Sequence, residues 1–431
     1  MSRRVARSTP RVVHLTTVDM SLAWLLLPQL IAFQDAGCEV IGVSAPGPHV
    51  PDLEAHGIPH VPLHSSTRGA DLRADLASAR EFTSICRRLQ PDIVHTHNPK
   101  PGVYGRIGAR LARVPHVVNT VHGLYATPED PWPKRAVVYG LERAAATCSD
   151  LELVQNLEDL PVLVRLGIPV EKLRLLRNGV DLSRFDPARH GEQREAVRTG
   201  LGIGPDEVLI GAVGRLVAEK GYRELFTAVR TVRARYPQAR FVVIGPSDPD
   251  KADALTPDEL DTAARDGVQF LGMRTDVERL YPAMDAYVLA SYREGFPRSA
   301  MEAAANGLPI VATDIRGCRQ VVDHDLTGLL VPPRDAATLG DALARLVSDA
   351  SLRAKMSIRA RAKAVVEFDD RRLVEVTLAA YEQLLGRSLR PGVAAAGAKA
   401  TSPGAAAKVP ERAAMAHSSA SPDAASRGGA R

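Results

Sequence analysis

The chain has 431 residues, too many for one ordinary hydrophobic core, so two domains are expected. A content of 45% hydrophobic and 24% charged residues is typical of a globular protein, and 4% aromatic residues argue against base-stacking platforms for single-stranded nucleic acid. The net charge of +5 lies mostly at the ends, since residues 391–431 carry five lysines or arginines against two acids. Such ends predict no nucleic-acid partner. They fit either attraction to an anionic membrane surface or a solvated tail without function.

The cysteines indicate a reducing compartment, and the hydropathy of the chain predicts no segment that spans a bilayer. The four cysteines lie far apart, without the spacing of metal ligands, and are interpreted as buried thiols. The most apolar run, 22–33, is too short to span a bilayer and is interrupted by Pro28 and Gln29. It also differs from a secretory signal, which has a cleaner apolar core and a small-residue cleavage site. We therefore expect a cytoplasmic protein, with the inner face of the plasma membrane as a candidate location.

Apolar runs and amphipathic segments alternate along the first half of the chain. The apolar runs predict strands at 11–17, 39–45, 92–97, 116–122 and 151–155. The segments between them predict helices at 21–36, 71–89, 104–113 and 134–146. Strands that are apolar almost throughout and alternate with helices are typical of a parallel sheet covered on both faces.

This pattern fades between 182 and 205 and then begins again. Further strands are predicted at 208–213, 240–244, 268–271, 286–290, 309–313 and 329–330, with helices at 221–236 and within 335–385. The fold class is therefore α/β, with two tandem Rossmann-like doubly wound domains that face each other across a cleft. The predicted parts are a basic flexible N-terminus 1–10, a first domain 11–185, a linker 186–205, a second domain 206–365, a helix 366–386 that packs back towards the first domain, and a disordered Ala/Gly/Ser/Pro tail 387–431.

Residues 291–317 are the most informative stretch of the second domain. They predict a loop, a short helix that ends at Gly307 in the left-handed conformation, and a strand. Two acids flank the turn, Glu294 in the loop and Glu302 inside the helix. By themselves they favour a structural role, because Ser299 and Glu302 have the spacing of a capping box. The alternative is that they bind an anionic or polyhydroxylated ligand at the helix N-terminus.

The loop 214–221 (G-R-L-V-A-E-K-G) carries two cations. Arg215 and Lys220 lie at its two ends, between a predicted strand and a predicted helix. Two fixed cations suit the negative charge that grows on a diphosphate leaving group as its bond breaks. Ordinary surface charges explain this loop equally well by itself, because its spacing is neither a dinucleotide fingerprint nor a P-loop.

Together, these two loops resemble glycosyltransferase family 4, whose members are retaining enzymes with the two-domain GT-B fold. The resemblance is carried by G-R-L-V-A-E-K-G after one strand and by E-G-F-P-R-S-A-M-E after a later one. The Glu-x7-Glu pair of the family falls on Glu294 and Glu302 without gaps, and the pattern A-x-x-x-G-x-P-I-V-A-T-D-x-x-G follows directly. The similarity extends over about 11–385 and is most specific in the second domain.

The resemblance implies a nucleotide-sugar donor site in the second domain and an acceptor site in the first. Arg215 and Lys220 would hold the donor's diphosphate. Glu302 would bind the ribose hydroxyls of the nucleotide, and Glu294 would bind the hydroxyls of the donor sugar.

Backbone groups and one further loop complete the implied donor site. Gly295 and Phe296 would contact the donor sugar through their backbone. Gly272, Met273 and Arg274, which follow the predicted strand V-Q-F-L, would lie near the base.

The first domain is similar to one branch of the family. H-N-P-K-P-G-V-Y-G-R at 97–106 and N-T-V-H-G-L-Y-A-T-P at 119–128 resemble enzymes that add sugars from UDP-sugars to undecaprenyl-diphosphate-linked saccharides. His122 matches the position where the family has a histidine beside the reacting sugar; its alternative is an ordinary hydrogen-bonded histidine at a strand end. Lys100 and Tyr125 are candidate acceptor contacts.

The loop after the first strand departs from the family pattern. Many members carry a Gly-Gly pair there, where the loop approaches the diphosphate, whereas this chain has T-T-V-D-M-S. Thr17 and Ser21 would therefore contact the donor with hydroxyl and N–H groups.

The implied activity is transfer of a hexose or N-acetylhexosamine from a UDP-sugar to a saccharide on polyprenyl diphosphate, in cell-surface polysaccharide or glycan synthesis. The diphosphate would take the acceptor proton in a same-face attack, and the catalytic residues would be Glu294, His122, Arg215 and Lys220. No cofactor or metal is expected, and peripheral membrane association is a candidate property. Within the same class, the alternative is a soluble small-molecule acceptor.

Other classes of protein fit the sequence less well. Asp248-Pro249-Asp250 imitates the D-x-D metal motif of the other large glycosyltransferase fold, but two cations make a metal unnecessary. A dinucleotide-dependent oxidoreductase needs G-x-G-x-x-G after a strand, which no predicted strand supplies. A glycosidase can use two acids but needs no diphosphate-binding cations. Nucleotide release in solution distinguishes an enzyme from the remaining alternative, a non-catalytic sugar-nucleotide or lipid binding module.

Overall fold

The computed structural model describes residues 8–67, 69, 71–97, 99–127, 130–249 and 251–389. Within them the chain forms two parallel sheets, as the alternation of apolar runs and helices predicts. The strands of the first sheet are β1 (Arg11–Val18), β2 (Glu39–Ala45), β3 (His60–Pro62), β4 (Ile93–His97), β5 (His116–Val121), β6 (Leu151–Val154) and β7 (Leu173–Leu175). Those of the second sheet are β8 (Val208–Val213), β9 (Ala239–Ile244), β10 (Val268–Phe270), β11 (Ala286–Leu289), β12 (Ile310–Thr313) and β13 (Gly328–Val331).

The helices follow the strands in the predicted alternation. The first domain contains α1 (Leu27–Asp35), α2 (Val50–Ala55), α3 (Leu72–Leu89), α4 (Pro99–Leu111), α5 (Trp132–Ala146) and α6 (Asp159–Arg165). The short helices α7 (Pro187–His190) and α8 (Arg194–Gly200) precede the second sheet. They are followed by α9 (Tyr222–Arg235), α10 (Pro257–Arg265), α11 (Val277–Leu280), α12 (Arg298–Ala305), α13 (Arg316–Arg319), α14 (Ala336–Ser348), α15 (Ala350–Glu367) and α16 (Asp370–Leu385).

The strand order creates one crevice in each sheet. The first sheet has the order β3-β2-β1-β4-β5-β6-β7, and the second has the order β10-β9-β8-β11-β12-β13. The chain moves outward from β1 to β3 and then returns to β4 on the other side, so the connections leaving β1 and β4 diverge. The same reversal separates β8 from β11. Ligands of doubly wound sheets bind at such switch points, beside the carboxyl ends of the strands.

Both faces of the second sheet are buried, which explains its uninterrupted apolar strands. On β8, Ile210 packs in the core on one face, and its neighbour Leu209 packs in the core on the other. Val243 and Val242 on β9 divide between the same two cores. Because side chains alternate along a strand, a sheet covered on both sides needs an apolar residue at nearly every position.

The last helix, α16, packs against the first domain although it follows the second. Leu373, Leu378 and Tyr381 are buried in the core that contains Leu30 and Phe33 of α1. The chain therefore crosses between the domains twice. The predicted helix 366–386 corresponds to α16, with its start at Asp370.

The ends of the described chain are more ordered than predicted. Leu389 is buried in the core of the first domain, and Arg387 donates to the carbonyl of Ser8 at 2.9 Å. The predicted disordered tail 387–431 therefore begins too early, because Leu389 supplies one more apolar side chain to the core. Pro10 is likewise buried, within the segment predicted as flexible. The rest of both predictions, residues 1–7 and 390–431, lies outside the described residues.

The segment 186–205 is part of the second domain, not the predicted linker. It contains α7 and α8, and Arg198 on α8 is buried. Arg198 Nη1 lies 2.9 Å from Asp285 Oδ2, and Arg194 Nη2 lies 2.6 Å from Asp285 Oδ1. The charged sequence suggested a solvated linker, but its arginines pair with an acid that immediately precedes β11.

Several short elements lie in segments where the sequence predicted neither a strand nor a helix. The elements α2, β3 and α6 occupy such segments. The predicted helix 21–36 is two helices, since a π-helix at Ser21–Leu26 precedes α1. The helix predicted at 104–113 begins earlier, at Pro99. Proline is tolerated in a first helical turn because its missing N–H would be unpaired there.

A buried ion cluster stabilises the first domain beneath the sheet edge. Arg106 on α4 is fully buried, with Nη1 2.6 Å from Glu152 Oε1 and Nη2 2.8 Å from Glu142 Oε1. Asn119 Nδ2 donates to the other oxygen of Glu152 at 2.7 Å. Burial raises the pKa of Glu142, and Arg106 opposes that shift. The arginine therefore compensates two acids that burial would otherwise penalise.

Arg106→Met is expected to lower the free energy of unfolding by about 3–5 kcal/mol, because it leaves two buried acids without their cation. Arg110→Met on the same helix is the matched control, since the side chain of Arg110 is 37% exposed and its loss should cost less than about 1 kcal/mol. Urea unfolding of both variants measures the difference. Equal losses would contradict the assignment of a stabilising role to the Arg106 cluster.

Candidate active site

A large cleft separates the carboxyl ends of the two sheets. Its volume is about 1470 Å³, and it is lined by both domains. Nine of the predicted site residues line it directly: Thr17, Ser21, Lys100, His122, Tyr125, Arg215, Met273, Arg274 and Glu302. The cleft therefore brings together most of the predicted donor and acceptor residues. The residues that line it do not include the other five, which are Lys220, Gly272, Glu294, Gly295 and Phe296.

The two predicted cations each contact an acid. Arg215, in the loop after β8, places Nη1 2.7 Å from Asp248 Oδ2 in the loop after β9. Lys220 Nζ lies 2.6 Å from Glu294 Oε1, and Ser291 Oγ donates to the same oxygen at 2.7 Å. The loops after β8 and β11 thus meet through Lys220 and Glu294, on the two sides of the switch between these strands.

Glu302 faces the cleft instead of capping its own helix. Its Oε2 accepts a hydrogen bond from the Tyr281 hydroxyl at 2.9 Å, and its Oε1 lies 3.3 Å from Arg298 Nε. The capping-box interpretation with Ser299 is wrong: Pro297 occupies the N-cap position, and among the described residues no side chain caps α12. Burial raises the pKa of Glu302, and Arg298 opposes this shift.

Gly295 lies in direct contact with the first domain. A Cβ added there would lie 2.1 Å from the carbonyl oxygen of His122, so only glycine fits. Asn156 Nδ2 donates to the Gly295 carbonyl at 3.0 Å. Phe296 turns its ring into the core beside Phe368, with 6.0 Å between ring centroids, so its backbone is the part nearest the domain boundary.

The loop predicted to lie near the base is held by its own contacts. Gly272 has a positive φ of 64°, and its carbonyl accepts from the Gly245 N–H at 2.9 Å. Met273 is half exposed to the cleft. Arg274 forms two hydrogen bonds to Asp276, at 2.8 and 2.6 Å.

The first domain contributes a mixed surface. Thr17 and Ser21 line the cleft at the end of β1, as predicted for the loop without the glycine pair. Lys100 Nζ bonds to Asp75 at 2.6 Å and to the carbonyls of residues 67 and 69, so its three ammonium hydrogens already have acceptors. Tyr125 is exposed, and the guanidinium of Arg293 lies 5.1 Å from its ring centroid.

His122 is a neutral histidine whose two ring nitrogens are both engaged. Nδ1 lies 3.2 Å from Gln155 Oε1, and Nε2 lies 3.2 Å from His97 Nδ1. Burial lowers the pKa of His122 to about 4. The ring can therefore present an edge to the cleft, but it accepts a proton only by breaking one of these hydrogen bonds.

Two groups of residues escaped the sequence analysis. Ion pairs join the domains beside Gly295, with Arg316 2.5 Å from Asp159 and Arg319 2.8 Å from Glu158. The other group is three buried histidines behind His122, namely His14, His95 and His97. The sequence held one signal for them, because D-I-V-H-T-H puts two histidines on the same face of one strand.

Comparison with known proteins identifies the family. The model described as Glycosyltransferase Family 4 matches residues 29–184, and the model described as Glycosyl transferases group 1 matches residues 193–363. The UDP-Gal:alpha-D-GlcNAc-diphosphoundecaprenol alpha-1,3-galactosyltransferase of Escherichia coli is 31% identical, over 70% of this chain and 78% of its own length. The chain belongs to glycosyltransferase family 4. It is an enzyme, and the predicted family is confirmed.

Other relatives of this glycosyltransferase carry related names. The N,N'-diacetylbacillosaminyl-diphospho-undecaprenol alpha-1,3-N-acetylgalactosaminyltransferase of Campylobacter jejuni is 23% identical, over 87% of this chain and 99% of its own length. A D-inositol 3-phosphate glycosyltransferase of Actinosynnema mirum is 31% identical, over 68% of this chain and 72% of its own length. The crystal structure of Anabaena HepE with UDP aligns with a TM-score of 0.73 at 20% identity, covering 87% of this chain and all of the other. The predicted GT-B fold is confirmed.

Gly295→Ala is expected to separate the two domains of the glycosyltransferase, because the new methyl group overlaps the His122 carbonyl. We expect a larger radius of gyration by small-angle scattering and a sugar-transfer rate at least about tenfold lower, since misplaced catalytic loops lose alignment. Gly140→Ala is the control, because a Cβ added there meets nothing within 4 Å. An unchanged radius and rate in Gly295→Ala would show that the domains do not approach here in solution.

Proposed function

We propose that this glycosyltransferase moves a hexose or N-acetylhexosamine from a UDP-sugar to a saccharide carried on polyprenyl diphosphate, with retention of the anomeric configuration. The observation that carries the donor half of the proposal is the 2.6 Å contact between Lys220 and Glu294. A cation suited to a diphosphate and an acid suited to sugar hydroxyls lie side by side, at the switch point where doubly wound sheets bind ligands. The names of two relatives, both acting on diphospho-undecaprenol substrates, support the acceptor half.

The proposed reaction needs charge stabilisation more than it needs a nucleophile from the protein. The bond between the anomeric carbon and the diphosphate oxygen breaks, and the acceptor oxygen bonds to that carbon from the same face. The acceptor proton passes to the departing diphosphate. Negative charge grows on the diphosphate along this path, so Arg215 and Lys220 bind the transition state more tightly than the bound donor. Glu294 holds the sugar hydroxyls, and Glu302 holds the ribose.

Both cations have acid partners in the free enzyme, and we propose that donor binding exchanges one of them. Arg215 is nearly half exposed, and a phosphate oxygen takes the place of Asp248. Lys220 keeps Glu294 and directs its remaining ammonium hydrogens to the phosphate. The acid partners keep the cations in position before the donor arrives, so little reorganisation is needed during the reaction.

The proposal requires no divalent metal. Arg215 and Lys220 supply the positive charge that Mg²⁺ or Mn²⁺ supplies in D-x-D enzymes. Asp248, the first acid of that sequence here, is the ion-pair partner of Arg215. Asp250, the second acid, lies outside the described residues.

A rim of exposed apolar side chains supports a lipid-linked acceptor. Trp24, Leu25, Leu72 and Leu141 line the cleft on the first-domain side, and each is more than 40% exposed. Exposed apolar groups that border one cleft are typical of sites for membranes or lipid chains. We propose that this rim rests on the inner face of the plasma membrane beside the polyprenyl chain.

Only part of the apolar run 22–33 takes part in the proposed membrane contact. Leu22, Leu30 and Phe33 are buried in the core of the first domain, so the run is mainly a core helix. Trp24 and Leu25 are the exceptions that face outward. In the described part of the chain, helices are too short or too polar to cross a bilayer.

A soluble small-molecule acceptor is the second candidate, because one relative is named as a D-inositol 3-phosphate glycosyltransferase. The apolar rim favours the lipid-linked acceptor, since a small polar acceptor gains nothing from it. Transfer assays with inositol phosphate and with an undecaprenyl-diphosphate saccharide compare the two directly.

Arg215→Ala and Glu294→Ala are expected to lower the rate of donor turnover by roughly 100- to 1000-fold, as for loss of other transition-state contacts. UDP release from a panel of UDP- and GDP-sugars measures this, and EDTA should leave the wild-type rate unchanged. Arg223→Ala is the control, because Arg223 forms an exposed pair with Glu259 in the same domain. Wild-type rates in both site variants would contradict the assignment of Arg215 and Glu294 to the donor site.

Trp24→Ser combined with Leu25→Ser is expected to weaken use of the lipid-linked acceptor by about tenfold or more, since each buried large side chain contributes roughly 1.5–3 kcal/mol. Donor hydrolysis without acceptor should stay unchanged. Ile358→Ser is the matched control, an equally drastic change at a residue that is 73% exposed on the second domain. Vesicle flotation with anionic lipids gives an independent readout; equal flotation and equal acceptor KM in all variants would exclude the rim as a lipid contact.

A further inference from the structure

Four histidines and a tyrosine form a continuous hydrogen-bonded series behind the cleft, here called the histidine row. It consists of His122, His97, His14, Tyr381 and His95 in spatial order. The distances between nitrogen or oxygen atoms of successive members are 3.2, 3.0, 3.4 and 2.6 Å. Gln155 Oε1 ends the row at 3.2 Å on the cleft side, and Thr120 Oγ1 ends it at 2.7 Å on the other.

The partners along the row define one direction for all its hydrogen bonds. With the Gln155 amide assigned so that its oxygen faces His122, this oxygen only accepts, and His122 then carries its proton on Nδ1 and accepts on Nε2. His97 therefore donates from Nδ1 to His122 and accepts on Nε2. His14 then donates from Nδ1 to His97.

The same direction continues through the last helix. His14 Nε2 accepts from the Tyr381 hydroxyl, and that hydroxyl oxygen accepts from His95 Nδ1. His95 Nε2 accepts from Thr120. All eight ring nitrogens thus have a partner, and every imidazole is a neutral Nδ1–H tautomer.

The burial of the histidines is consistent with neutral imidazole rings along the row. His14, His95 and His97 are almost completely buried, and burial lowers the pKa of each of them well below the ordinary value. Among the groups that face them, Tyr381 and Thr120 are uncharged partners. A proton added to His97 or His122 would convert an acceptor nitrogen into a donor and place two donors against each other, whereas the hydroxyls beside His14 and His95 can also accept.

A metal ion is the competing explanation for three clustered histidines, since one nitrogen from each of His14, His95 and His97 lies within 4.8 Å of the others. The contact between His14 and His97 is 3.0 Å, the length of a hydrogen bond. Two nitrogen ligands at about 2.0–2.1 Å from a tetrahedral zinc are roughly 3.4 Å apart. His95 also has a hydrogen-bond partner on both nitrogens, so the hydrogen-bonded row accounts for the geometry better.

We propose that Tyr381 and the buried histidines are positioning residues for His122, fixing its tautomer and ring orientation beside the reacting sugar. The proposal rests on the proposed function, with His122 beside the reacting sugar as the family resemblance implies. Tyr381 belongs to α16, which the chain reaches only after completing the second domain. Docking of this helix on the first domain therefore completes the row and sets the ring that faces the cleft.

Tyr381→Phe tests the row in the full-length enzyme. It keeps the ring that packs against Phe33 and removes only the hydroxyl. Nitrogen NMR of enzyme with ¹⁵N-labelled histidine should show pure Nδ1–H tautomers along the row in the wild type. In the variant we expect a mixture for His14, whose Nε2 loses its donor, with the His14 signal assigned from His14→Gln. We expect kcat to fall about fivefold or more, with KM for the donor within about twofold, because most of the proposed donor contacts lie in the other domain.

Thr377→Val is the matched control. Thr377 is a buried polar residue on the same helix, one turn from Tyr381, and its hydroxyl bonds only to the carbonyl of Leu373. This variant measures the effect of weakening α16 without touching the row. It should leave the His14 and His122 tautomers and kcat unchanged.

Gln155→Leu tests the row from its cleft end and serves if Tyr381→Phe does not fold. It removes the acceptor that sets the direction of the hydrogen bonds. The His122 signal, assigned from His122→Gln, should therefore become a mixture of the two tautomers. An unchanged tautomer in either variant, or one mole of zinc per mole of purified enzyme, overturns the row. A changed tautomer with unchanged kcat overturns its role in the reaction. Failure of every UDP-sugar as donor would refute the proposed function but leave the tautomer measurement decisive.

Discussion

The close approach of Gly295 to the His122 carbonyl is the constraint on which the arrangement of the cleft depends. The loop that carries Glu294 follows a strand of the second sheet, and His122 follows a strand of the first. A single methyl group between them is enough to prevent contact. Because Asn156 bonds to the same glycine and two ion pairs flank it, the carboxyl ends of both sheets are held against each other at this point.

Charged side chains in and beside the cleft pair with neighbours of opposite charge. Each cation proposed to bind the diphosphate has an acid of its own, and Glu302 has both a cation and a hydroxyl. Such pairs prevent repulsion among closely spaced like charges and keep the side chains in place without a ligand. In the interior of the first domain, Arg106 lies between two glutamates and balances their charge, and the buried histidines remain neutral.

The chain returns to the first domain after completing the second, and the returning helix provides both core packing and a hydrogen-bonding group. Helix α16 contributes Leu373 and Leu378 to the first core, and it also contributes the hydroxyl of Tyr381 to the histidine row. One helix therefore links completion of the fold to the geometry of the cleft. This connection explains why a polar residue stands at a fully buried position, where an apolar one would pack equally well.

The sequence by itself determined the fold class, most strand positions, the family and the two loops that form the proposed donor site, because apolar periodicity and glycine-bounded motifs are local signals. Tertiary structure decided what depends on contacts between distant residues. Glu302 pairs with Tyr281 instead of capping α12, the segment 186–205 pairs with Asp285, and Lys100 is occupied by its own neighbours. The histidine row was out of reach for the same reason: His14 and Tyr381 lie 367 residues apart in the chain, and only the folded sheet and the returning helix bring them together.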